Sequence, residues 1–98
     1  MKAIGLIHTG CGSDRAEDEQ AIRDVVIQRG YDFAGLLTVT PHTYMPTTLI
    51  VHTAAQHNAT VIVAPSIDHF GAAAHAVALA CVLATPSITV PCTVGRAH

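Results

Sequence analysis

The chain alternates between short runs that are apolar at nearly every position and longer stretches in which apolar residues recur every three or four. "AIGLIHT" is the first short run; it predicts a strand over about residues 2 to 8, covered on both faces as in a parallel sheet. Ser13 or Asp14 can then N-cap a helix. Its first turn carries Glu17, Asp18 and Glu19, favourable beside the helix dipole, and its apolar positions Ile22, Val25 and Val26 share one face. Gly30, in "RGYD", stands at the C′ position that ends it. "FAGLLTVT" predicts a second strand over about 33 to 40, closed by Pro41. Pro46 suits the first turn of a second helix through "TTLIVHTAAQHN", with Asn58 as its C-cap. The β-branched "ATVIVAPS" predicts a central third strand over about 60 to 65. A third helix is expected from about Gly71 to Ala84, broken before Pro86, and "SITVPC" supplies a short fourth strand.

Strands and helices that alternate in this way imply a parallel sheet with helices packed on its faces. The expected fold is therefore α/β: a small, mostly parallel four-stranded sheet with about three helices, in a three-layer flavodoxin-like sandwich. Composition agrees with one domain over residues 1–98, since half of the 98 residues are apolar and a single modest core can form without staples. Only 12% are charged, the net charge is −2, and Lys2, Arg15, Arg23, Arg29 and Arg96 are scattered. Such a surface lacks the basic footprint of a nucleic-acid binder, so nucleic acid is not an expected partner. "MKAIGLIHTG" is too short in apolar residues for a signal h-region, and "FGAAAHAVALACVLA" is mostly alanine, carries His75 and falls short of a membrane span. No membrane association is expected, and the cytoplasm is the expected location. The odd cysteine count, without a C-x-x-C pair, suits reduced thiols there. Cys81 and Cys92 lie in apolar segments as core residues, and only Cys11 lies in a loop.

In an open parallel sheet, ligands gather outside the carboxyl ends of the strands. That rule selects three loops, "HTGCGSD", "TPHTYMP" and "SIDHFG". They would bring His8, Gly10, Cys11, Ser13, His42, Asp68 and His69 to one edge as a candidate pocket. "GCGSDR" begins like the dinucleotide fingerprint G-x-G-x-x-G, but Arg15 replaces the third glycine and no acid ends the second strand. No Gly-Lys-Ser/Thr follows either, so the loop reads as a turn between strand and helix. His8, Cys11, Asp68 and His69 are of metal-ligating types, but no pair has a short ligand spacing, and no metal or other cofactor is expected. His52, His57 and His75 decorate helix faces. A nucleophilic site would need Cys11 or Ser13 beside His8 or His69, with the start of the first helix favouring a Cys11 thiolate.

Taken in order, "AIGLIHTG", the acidic-to-apolar helix ending "RGYDF", and "ATVIVAPSIDHFG" resemble the catalytic-domain core of the serine recombinases, the resolvase and invertase family. In that family the first strand typically reads Y-x-R-V-S and the third runs into L-D-R-L-G-R. "AVALACVLATPSITVP" is similar to the family's next helix and strand, so the resemblance spans about residues 2 to 92. It implies a resolvase-like fold with its chemistry removed. Leu6 replaces the tyrosine, His8 stands where the family has a phosphate-binding arginine, and Gly10 stands where it has the serine nucleophile. Asp68 and Gly71 match the second motif, while His69 and Ala72 replace two arginines. Phosphoryl transfer depends on positioning and on permanent positive charge, which imidazole and methyl groups do not supply. The long dimerisation helix and helix-turn-helix domain of the family are not expected here.

These readings favour a catalytically inactive resolvase-like domain that acts through protein contacts, as a homo-oligomer or with another protein, in a regulatory or accessory role. The alanine-rich third helix, apolar nearly all round, would be the contact surface. One alternative is a small-ligand or metal-binding protein or enzyme using His8, Cys11, Asp68 and His69. Another is a recombinase-type protein that binds DNA or transfers strands.

Overall fold

The computed structural model describes residues 2–9, 15–40, 42, 46–66, 69–70, 77–78, 81–86 and 89–90. Within them run β1 (Lys2–His8), α1 (Arg15–Arg29), β2 (Asp32–Val39), α2 (Pro46–Gln56), β3 (Val61–Val63), β4 (Val82–Ala84) and β5 (Thr89–Val90). The five strands form one sheet in the order β2-β1-β3-β4-β5. The first four are mutually parallel and β5 runs antiparallel to β4.

Alternate residues of the apolar strands serve two cores, one on each face. Ala3 and Ile7 of β1, Val61 and Val63 of β3, and Ala84 of β4 pack against Ile22, Val25 and Val26 of α1. Ile4, Leu6, Ile62 and Leu83 face the other way, onto Ile50 and Ala54 of α2 and onto Phe70, Val77, Ala78 and Cys81. This is why β1, β3 and β4 read as continuous apolar runs: both of their faces are covered.

Both helices end as their sequences direct. Gly30 has φ 69°, and after it Tyr31 N–H donates to Val26 O at 3.0 Å while Gly30 N–H donates to Ile27 O at 3.3 Å, the paired bonds of a Schellman cap. Asn58, at φ 55°, does the same for α2, with Ala59 N–H on Ala54 O at 2.8 Å and Asn58 N–H on Ala55 O at 3.1 Å. Arg29, in the last turn of α1, reaches the β4–β5 end of the sheet, where its guanidinium donates to Thr85 O at 3.0 Å and to Thr89 Oγ1.

Three expectations need correction. The sheet has five strands rather than four, because the last three residues of the expected third helix form β4. A buried apolar run does not reveal its own period, and "VLA" is taken into the sheet between β3 and β5, with Leu83 serving one core and Ala84 the other. The "SITVPC" segment accordingly becomes the fifth strand, and it is antiparallel. Two helices rather than three are delimited among the described residues; Val77 and Ala78 are helical, and most of the span 71–80 lies outside those residues. The caps expected from Ser13 and Asp14, and the placements of His75 and Cys92, also lie outside them. No helix among the described residues is long and apolar enough to cross a membrane.

The β1–β2 ladder contains one irregularity that shapes the surface. Ala3 pairs with Phe33 but Ile4 pairs with Gly35, so Ala34 is an extra residue on β2. Residues three apart on a regular strand point to opposite faces. The bulge restores Phe33 and Leu36 to the same one, the face that α1 covers.

Candidate functional site

The strand order places β1 between β2 and β3, with α1 and α2 leaving toward opposite faces. The carboxyl ends of β1 and β3 therefore flank the point where the connections diverge. β3 stops at Val63, which pairs with Gly5, while β1 continues to His8. Beyond Val63 the last amide of β1 finds no strand carbonyl on that side, and a side chain takes over. His8 N–H donates to His69 Nδ1 at 2.9 Å. His69 is held there by a short turn in which its own N–H donates to Ser66 O at 3.2 Å.

The opposite edge of the His69 ring faces α1. Nε2 lies 4.0 Å from Asp18 Oδ2, too long for a hydrogen bond but close enough for electrostatic orientation. His69 is 2% exposed and Asp18 6%. Because Nδ1 accepts from an amide, the proton of the neutral ring sits on Nε2, directed at the carboxylate. A histidine that acts as general base must offer one nitrogen to a reactant. Here one nitrogen is spent on β1 and the other is turned toward α1. The pair joins three elements at the strand ends.

Of the expected pocket residues, the structure brings His8 and His69 together. His42 stands exposed after β2, its N–H donating to Thr40 Oγ1 at 3.2 Å. Gly10, Cys11, Ser13 and Asp68 lie outside the described residues. Among the described residues, no group of three or more histidine, cysteine or acidic side chains is placed to hold a metal ion. His52 and His57 are exposed on and beside α2, as expected, and Cys81 is a buried free thiol in the core.

Asp18 is the residue that sequence reasoning missed. It reads as one of three acids in a solvated first turn, yet with Ile22, Val25 and Val26 it falls at spacings of four, seven and eight on the core-facing stripe. That spacing was the available signal. Of the alanine-rich segment expected as the contact surface, Val77, Ala78 and Cys81 are buried, and most of the rest lies outside the described residues; the exposed large apolar side chains among the described residues are Ile27 on α1, Phe33 and Leu36 on β2, and Leu49 on α2. Phe33 and Leu36 are 40% and 38% exposed, and with Glu19, Ile22 and Arg23 they line a groove of about 160 Å³ between α1 and β2. Ile27, 78% exposed, follows Arg23 by one turn.

The chain matches no protein-family model, no curated protein and no solved structure.

Proposed function

We propose that the chain is a non-catalytic domain of resolvase-like form that works through contacts with protein. One observation carries the reading. His8 and His69 occupy positions at which the resemblance implies arginines, the first of them phosphate-binding, and they are neighbours whose hydrogen bond serves the fold. One His69 ring nitrogen accepts the His8 N–H and the other faces Asp18, and neither histidine supplies the fixed positive charge that phosphoryl transfer uses. A partner from outside meets instead half-exposed Phe33 and Leu36 in the groove beside α1, and Ile27 exposed on that helix.

A photo-crosslinking residue at position 27 tests this in cells that produce the chain. Crosslinks to protein that disappear when the residue is moved to position 57, beside α2, support the reading. Relaxation or cleavage of supercoiled DNA by the purified chain overturns it. So does saturable thermal stabilisation by a divalent metal ion or a nucleotide that His8→Ala abolishes.

A further inference from the structure

The contacts of His69 admit only one protonation state of its ring. Nδ1 receives the His8 N–H at 2.9 Å, so it carries no proton while that bond stands, and the proton of the neutral ring is on Nε2. An imidazolium has a proton on both nitrogens and no acceptor. A second proton on Nδ1 would therefore face the His8 N–H, donor against donor, at a ring that is buried. From this geometry we propose that His69 is an acid-released latch: the neutral ring fastens the turn that carries it to the end of β1, and the protonated ring leaves the His8 amide and closes on Asp18.

The titratable residues that meet the ring among the described residues are Asp18 from α1 and His8 from β1. Glu17 and Glu19, the chain neighbours of Asp18, lie elsewhere: Glu17 is exposed, and Glu19 lines the groove beside Phe33. Burial and the His8 amide oppose the charged ring, whereas the Asp18 carboxylate favours it. That carboxylate also gives the cation a place to go. Nε2 and Oδ2 are 4.0 Å apart, and a charge-assisted hydrogen bond needs about 2.7–2.9 Å, so a movement of about 1 Å completes it. The sheet does not have to open. His8 pairs with Val39 on its other side, whereas the β3 ladder ends at Gly5 and Val63, so only the turn beyond β3 comes away. Because the latch holds the neutral ring, it is closed above the midpoint of the ring's titration and opens as the pH falls through it.

Nuclear magnetic resonance of the isotope-labelled full chain, taken from about pH 8 to about pH 5, is the test. It follows the His69 ring nitrogens together with exchange of the His8 amide, corrected for the intrinsic pH dependence. The ring should titrate within this range, and protection at His8 should fall about tenfold with the same midpoint, the strength of one hydrogen bond. Far-ultraviolet circular dichroism should hold its signal throughout. His69→Asn keeps an acceptor and cannot titrate, so its His8 protection should stay constant. Asp18→Asn should lower the ring's midpoint by about 1–3 pH units. His8→Ala retains the amide and removes the second imidazole, and the transition at residue 8 should persist. A ring that stays neutral throughout the range, or that titrates with no change at the His8 amide, overturns the latch. So does a transition that survives in His69→Asn, or a circular dichroism signal lost at the same midpoint, which would make the acid response a global unfolding.

Discussion

Replacing His69 should reveal how much of the fold depends on one imidazole. In His69→Ala the His8 amide loses its acceptor at a partly buried site, a cost of about 1–3 kcal/mol. The vacated ring volume, roughly 65 Å³ at ~24 cal/mol per Å³ of cavity, adds about 1.5 kcal/mol. The Asp18 carboxylate also loses the group that faces it. A total near 3–4 kcal/mol is a large fraction of the ~5–15 kcal/mol that holds a domain together. Two controls separate acceptor from volume. The side-chain oxygen of asparagine falls where Nδ1 stood and can receive the His8 N–H, so His69→Asn should cost only about 1–2 kcal/mol. Glutamine reaches toward Asp18 and offers nothing near Nδ1, so His69→Gln should resemble alanine. Urea unfolding followed by far-ultraviolet circular dichroism gives the ranking, provided the slopes agree. Hydrogen exchange at the His8 amide should quicken in the alanine and glutamine variants and stay slow in the asparagine one. Equal costs for asparagine and alanine, or an alanine cost below about 0.5 kcal/mol, would refute the assignment of His69 as the acceptor that closes β1.

Gly30→Ala places a Cβ at φ 69° and should lower stability by about 1–2 kcal/mol in the same unfolding assay, with no change in sheet content. Gly5→Ala should cost about 1–2 kcal/mol, because buried Ile22 has little room to give while half-exposed Leu36 will swing outward. Arg29→Ala removes two bonds at a partly exposed site, and about 1 kcal/mol of destabilisation is expected, with faster exchange confined to the β4–β5 hairpin.

The first half of the fold is legible because its signals are local. The β1 bounds, the Gly30 terminus of α1, the Pro46 start of α2 and the role of Asn58 each follow from residues within one turn of the feature. The second half is less legible because the deciding forces come from afar. Whether Val82, Leu83 and Ala84 continue a helix or join the sheet is settled by β3 and β5 on either side, and a run of small apolar residues is compatible with both. The site divides in the same way. Loops that follow parallel strands point to the carboxyl edge, and His8 and His69 do meet there. No spacing in the chain announces that a histidine ring will replace a missing strand carbonyl across 61 residues of sequence. The bulge at Ala34, which sets the face of Phe33, likewise has no signature in "DFAGLLTV".

The position of β1 has a consequence for how the chain assembles. It precedes both of its partners in the sequence and lies inside the sheet, hydrogen-bonded on one side to β2, about thirty residues downstream, and on the other to β3, nearly sixty downstream. A nascent chain that has completed only the first strand-helix-strand unit leaves one flank of β1 unpaired, and Ile22 and Val25 lack the cover of Val61, Val63 and Ala84. Non-local pairing of this kind slows folding and defers stability until β3 and β4 have been added. The amino-terminal half is then a template that waits for its complement, and truncation before residue 84 should yield a fragment that collapses without cooperative structure.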